Sequence, residues 1–205
     1  MLEISNLSFA YPHGVVLRDF SAYAAPGLVL VRGGDGRGKT TLVRLLAGEL
    51  APDAGRLQLN GVWLHEQPAA YRQQVFWTDP RFCAHDALTA REYLQQVQRN
   101  YPTFDAATLD RAIEGLSLAP HLNKNIFMLS TGSKRKLWLA AAAASGAALT
   151  LLDTPFAALD RVSIQFALEL LAGAAQGNSR LWVLADYEQP EGMTLPVMID
   201  LGDGA

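Results

Sequence analysis

Residues 33 to 41 read Gly-Gly-Asp-Gly-Arg-Gly-Lys-Thr-Thr, a run with the spacing G-x-x-x-x-G-K-[ST]. Gly33, Gly34, Gly36 and Gly38 allow the backbone to turn tightly and to bring its N–H groups against phosphate oxygens. Lys39 adds a mobile positive charge for outer phosphates, and the Thr40 hydroxyl, followed by Thr41, suits a magnesium ion. Asp35 and Arg37 fill the variable places between the glycines. The chemistry of such a run is the grip of a nucleoside polyphosphate, ATP above all, together with Mg2+. A second group fits the same task. Leu149-Thr150-Leu151-Leu152-Asp153 is an apolar strand ending in a carboxylate, placed to orient the metal and its water.

The elements that must position these groups are legible from periodicity. Leu28–Val31 is an apolar strand running into the glycine run, and Thr41–Leu46 is a helix running out, so the positive helix end points at the phosphates. Residues 2–9 read as a strand, Pro12-His13-Gly14 as a turn, and Val15–Leu17 and Phe20–Ala24 as two further strands. Arg56–Leu59 and Gln74–Trp77 read as strands. Residues 87–99 and 105–117 have helical spacing with Asp86 and Asp105 as N-caps. Residues 133–145 and 160–175 are predicted helices, and Ala148–Leu152, Leu181–Leu184 and Val197–Leu201 buried strands.

Composition narrows the class. Half of the 205 residues are hydrophobic, enough for a core, and the net charge of -3 gives no sign of a nucleic-acid binder. Cys83 is the single cysteine, so no internal disulfide forms, which suits a reducing compartment. No signal peptide is visible at Met1–Asn6. The longest apolar run, Leu137–Leu152, is broken by Ser145, Gly146 and Thr150, and falls short of the roughly 18–20 residues a spanning helix needs.

Leu129-Ser130-Thr131-Gly132-Ser133 then resembles the LSGGQ-type signature of the ATP-binding cassette (ABC) family, with Thr131 in place of the first central glycine. It precedes the Asp153 strand, as that family requires. Ala157-Ala158-Leu159-Asp160 resembles the family's D-loop, and Tyr11 stands where the family places an aromatic that stacks on adenine. The resemblance spans residues 2 to 187 and is strongest to small bacterial exporter-type subunits of the haem-exporter-like branch. It implies an α/β fold, a P-loop NTPase of ABC type with a mixed sheet core, an antiparallel β subdomain and an inserted helical subdomain. It implies one ATP-binding domain over residues 1–205, with 1–78 and 146–205 as the α/β core and about 79–145 as the helical subdomain. Ser130 and the backbone near Gly132 would form a second anion site that closes on nucleotide held by the opposite subunit of a dimer.

The pattern breaks at the hydrolytic positions. Thr154 follows Asp153 where the family has its catalytic glutamate, and a hydroxyl is no general base near neutral pH. Asp186 stands in the place of the switch histidine, and an ionised carboxylate donates no hydrogen bond to a phosphate. Either Thr78 or Asp79 takes the place of the Q-loop glutamine, and Asp79 could still reach Mg2+ or its water shell. Asp35 adds negative charge beside the polyanion, and Arg37 would offset it or face a partner. The expectation is a subunit that grips ATP and Mg2+ through Lys39, Thr40 and Asp153 but hydrolyses slowly, or lends Ser130 and Gly132 to a partner's site. The partners implied are a separate transmembrane permease and a second ABC subunit, identical or not, with the chain peripheral on the cytoplasmic face of the cell membrane. The alternative is a regulatory ABC pseudo-ATPase that binds ATP without transport. The cargo is not written in this chain.

Overall fold

Alternation of buried Leu2, Ile4, Leu7 and Phe9 with more exposed neighbours makes Leu2–Tyr11 a strand with one face in a core (β1). It pairs antiparallel with β2 (Gly14–Ala24) and β4 (Ala54–Leu59), and β5 (Val62–Trp63) extends that sheet in the order β2-β1-β4-β5. The two strands expected over residues 15–24 are one. Asp19 takes a left-handed backbone (φ 47°), the register shifts between Leu7 and Phe9, and Ser8 Oγ accepts the Asp19 N–H at 2.9 Å. The irregularity is thus absorbed within a continuous strand.

The computed structural model describes residues 1–79, 84–190 and 197–202, so Cys83 lies outside the described residues. A second sheet has the order β6-β7-β8-β3-β9: Val75–Phe76, Leu149–Asp153, Leu181–Asp186, Gly27–Arg32 and Val197–Asp200. All its pairings among the described residues are parallel. The expected mixed core is therefore a parallel one, because the antiparallel strands form a sheet of their own. The central strands β3, β7 and β8 are buried almost throughout, as parallel strands covered on both faces must be. Helix α1 (Lys39–Leu46) follows β3, and α2 (Pro68–Gln73), not foreseen, begins with proline at its first turn. Tyr71 of α2 is fully buried and donates to the Leu46 carbonyl at 3.0 Å, satisfying an end group of α1.

Two compact units divide the chain: Met1–Phe76 with Ala148–Thr154 and Ala174–Ala205, and Trp77–Ala147 with Pro155–Gly173. The first holds both sheets. In the second, α3 (Ala90–Asn100) starts at Thr89, not at Asp86. Thr89 and Glu92 form a reciprocal capping box, whereas the Asp86 carboxylate is taken by Lys134 at 3.0 Å. Asp105 caps α4 (Ala106–Gly115) as expected, accepting the Ala107 N–H at 3.0 Å. Helix α5 (Thr131–Ser145) is capped by Ser130, and its run of alanines from 140 to 144 is buried. Helix α6 (Arg161–Gln176) follows the loop after β7.

Candidate functional site: a phosphate loop at the strand ends

Strands β7, β8 and β3 are neighbours and parallel, so Asp153, Asp186 and the loop after Arg32 all emerge at one sheet edge. Ligands bind at this carboxyl edge of parallel sheets. The loop is closed by local contacts: the Arg37 N–H reaches the Gly34 carbonyl at 3.4 Å, and the Gly34 N–H reaches the Gly202 carbonyl at 3.1 Å. Gly38 caps α1 with φ 91°, and a Cβ there would lie 2.4 Å from Val16 Cγ1. Only glycine meets both demands.

Thr40 Oγ1 donates to Asp153 Oδ2 at 2.6 Å, across 113 residues of sequence. Two oxygens, one from a hydroxyl and one from a carboxylate, stand together at the mouth of the loop. That donor set suits a hard divalent cation that takes its remaining ligands from water and phosphate. Lys39 is nearly buried, and its amine donates to the carbonyls of Gly33 at 2.5 Å and Gly34 at 2.9 Å. Thr41 Oγ1 lies 3.5 Å from the Tyr11 hydroxyl. The Tyr11 ring meets Phe9 edge-on (4.9 Å) and lies parallel to His13 (5.5 Å).

Thr154 continues from Asp153 with a left-handed backbone (φ 46°), its N–H held by the Ala185 carbonyl at 2.8 Å. Asp186, at the end of β8, accepts the N–H of Tyr187 on Oδ1 at 2.8 Å. Sequence reasoning missed Tyr187. Its hydroxyl donates to Asp35 Oδ1 at 2.6 Å, and its ring centroid lies 4.0 Å from Lys39 Nζ. The Asp35 carboxylate raises the Tyr187 phenol above the ordinary tyrosine range, so it stays a proton donor at neutral pH. The signal was present: a phenol one residue beyond an aspartate that ends a buried strand. Asp35 thus accepts a hydrogen bond from Tyr187, a contact that sequence reasoning did not include.

The remaining predicted residues belong to the second unit. The Thr78 hydroxyl lies 3.1 Å from that of Tyr93, and burial pushes the Tyr93 phenol up to about 12. Asp79 is half-buried beside Thr78. Ser130 Oγ accepts the Ser133 N–H at 3.1 Å at the start of α5. A Cβ on Gly132 would stand 2.4 Å from the Ala158 carbonyl oxygen, so the signature helix and the loop after β7 touch through backbone. Lys136 of α5 also pairs with Asp160, whose other oxygen accepts the Ser163 N–H at 2.9 Å and caps α6. Among the described residues no cluster of three or more His, Cys, Asp or Glu side chains could hold a metal alone.

A glycine-rich loop between β3 and α1, a Thr–Asp pair beside it and a Ser-x-Gly helix start are the marks of an ATP-binding cassette. The chain belongs to the ABC transporter family, whose model matches residues 17–157. It is 36% identical over 146 residues to the cytochrome c biogenesis ATP-binding export protein CcmA of Pseudomonas savastanoi pv. phaseolicola, covering 71% of this chain and 68% of that one. It is 33% identical over 174 residues to the taurine import ATP-binding protein TauB of Pseudomonas fluorescens, covering 83% of this chain and 66% of that one. The chain thus spans about two thirds of the length of these two relatives. Among solved structures, an ATP-binding subunit of an ABC transporter superposes with a TM-score of 0.79 at 25% identity, over 90% of this chain and 79% of that one. A dimeric ATP-binding cassette in a post-hydrolysis state, bound to ADP and phosphate, shares the fold with a TM-score of 0.76 at 17% identity, over 92% of this chain and 88% of that one.

Proposed function

We propose that this chain is the ATP-binding subunit of an ABC membrane exporter, in which ATP binding drives a separate permease while hydrolysis at the chain's own site is slow. The observation that carries this reading is the Thr40–Asp153 contact beside Lys39, a gripping apparatus followed directly by Thr154. Thr40 and Asp153 would hold Mg2+. The ion, when bound, neutralises charge on the outer phosphates. The loop N–H groups from Gly33 to Gly38, with Lys39 and Thr41, orient the phosphate chain, and Tyr11 offers a ring to the base.

No carboxylate follows Asp153 to take a proton from water. Absence of a positioned base lowers hydrolysis by about 10²–10⁴. Ser130 and the α5 N-terminus would meet a nucleotide held by a second ABC subunit, so the working unit is a dimer with nucleotide between its subunits. Among the described residues no helix is long and apolar enough to cross a membrane, and the reading assigns the transport path to a separate permease. Identities of 36%, 35% and 40% to three cytochrome c biogenesis export proteins, against 33%, 30% and 31% to three taurine import proteins, support the export direction.

The test is ATP binding and phosphate release by the purified chain and by Lys39→Ala. The expected result is Mg2+-dependent ATP binding, lost in the variant, with turnover far below one per second. Several turnovers per second, lost on Lys39→Ala, would overturn the slow-site reading.

A further inference from the structure

Tyr187 has a position that the expected grip does not use. Its ring lies over Lys39 Nζ at 4.0 Å, and its hydroxyl donates to Asp35 Oδ1 at 2.6 Å. The amine of Lys39 is the group that meets the outer phosphates of a bound nucleotide. A phosphate oxygen on that amine therefore comes within reach of the phenol. Asp35 is already an anionic acceptor on the same donor, so its carboxylate oxygen stands in for a phosphate oxygen. Asp186, the residue before it, accepts the Tyr187 N–H on its Oδ1.

We propose that Tyr187 is the side chain with which this protein reads the terminal phosphate of its nucleotide, by turning its hydroxyl from Asp35 to a γ-phosphate oxygen. The inference rests on the reading of residues 33–41 as the nucleotide grip. The exchange replaces one charge-assisted hydrogen bond with another, so the phenol needs little new ordering. The Asp35 contact keeps the proton on the phenol, as a donor requires. A nucleoside diphosphate offers no γ-oxygen, so the gain is confined to the triphosphate. Tyr187 is then a specificity-determining residue, separating ATP from its product.

The test compares ATP and ADP affinity, with Mg2+ present, for the parent chain, Tyr187→Phe and Lys39→Ala. Phenylalanine keeps the ring over Lys39 and removes only the hydroxyl. Tyr187 is about half exposed (47%), so the variant folds, which circular dichroism checks. The expected result is a loss of ATP affinity of roughly two- to five-fold, the difference between two charge-assisted hydrogen bonds, with ADP affinity unchanged, so that the ATP/ADP ratio falls by the same factor. An equal loss for both nucleotides makes the residue a support for Lys39 only and overturns the proposal. No change, or tighter ATP binding, also overturns it, the latter by making the Asp35 contact an obstacle to phosphate. Lys39→Ala separates the two levels of the argument. If that variant binds both nucleotides normally, the reading of the loop itself fails, independently of Tyr187.

Discussion

Thr154→Glu restores a carboxylate directly after Asp153, and the structure states what this should do. The Thr154 N–H is held by the Ala185 carbonyl at 2.8 Å, and the residue sits at φ 46°. A β-branched side chain is poorly suited to that backbone, which costs an L-residue about 1–2 kcal/mol. Glutamate is not branched at Cβ, so the exchange adds no strain. The new carboxyl follows Asp153, and the neighbouring negative charge raises its pKa towards that of a useful base. A positioned base is worth about 10²–10⁴ in rate, so phosphate release should rise by on the order of 100-fold or more. The assay is single- and multiple-turnover phosphate release at saturating ATP and Mg2+, with ATP affinity measured in parallel. Thr154→Gly is the companion variant. It relieves the same strain but pays back part of it in backbone entropy, giving a net gain of about 0.5–1 kcal/mol in urea denaturation with no gain in rate. If Thr154→Glu binds ATP normally and releases phosphate no faster than the parent, the missing base is not what limits turnover, and the reasoning fails.

Gly38→Ala should destabilise the chain by about 2–5 kcal/mol, from left-handed strain and overpacking against Val16 Cγ1 at 2.4 Å, and should abolish ATP binding. Val16→Ala in the same chain should recover part of the stability lost in urea titration, since it removes the atom struck. Hydrogen bonding from Lys136 and then from the Ser163 N–H lowers the Asp160 carboxyl to about 2. A carboxyl with a depressed folded-state pKa contributes stability that is complete above its unfolded value of 3.8 and is lost as pH falls towards about 2. Asp160→Asn should therefore flatten the thermal stability profile between those values, and Lys136→Met should move the Asp160 titration seen by NMR back up.

Much of the grip was legible because its parts are local. The loop, Lys39 and Thr40 lie in one short run, and the strand before and helix after it follow from periodicity. The Asp153 that meets Thr40 was also legible, because a buried strand ending in aspartate is a pattern in itself. What escaped was long-range. Tyr187 meets Asp35 across 152 residues, and no spacing rule encodes that contact. The same holds for Val16 against Gly38, and for Ala158 against Gly132. The N-cap of α3 was misplaced for a different reason. Asp86 and Thr89 are both good caps, and the contest was decided by Glu92 answering Thr89 and by Lys134 claiming Asp86.

The strand order β7-β8-β3 has a consequence for the birth of the protein. Its phosphate grip needs residues from three distant stretches, so Asp35 waits for a partner made 152 residues later. At synthesis rates of about 5–20 residues per second, that interval is roughly 8–30 seconds. For most of it the glycine loop lacks the carboxylate beside Thr40, and to its end it lacks the phenol over Lys39. Full affinity for the nucleotide is therefore a late acquisition of the growing chain. Because ligand stabilises only the form that binds it, ATP acts as an inspector of completed folding.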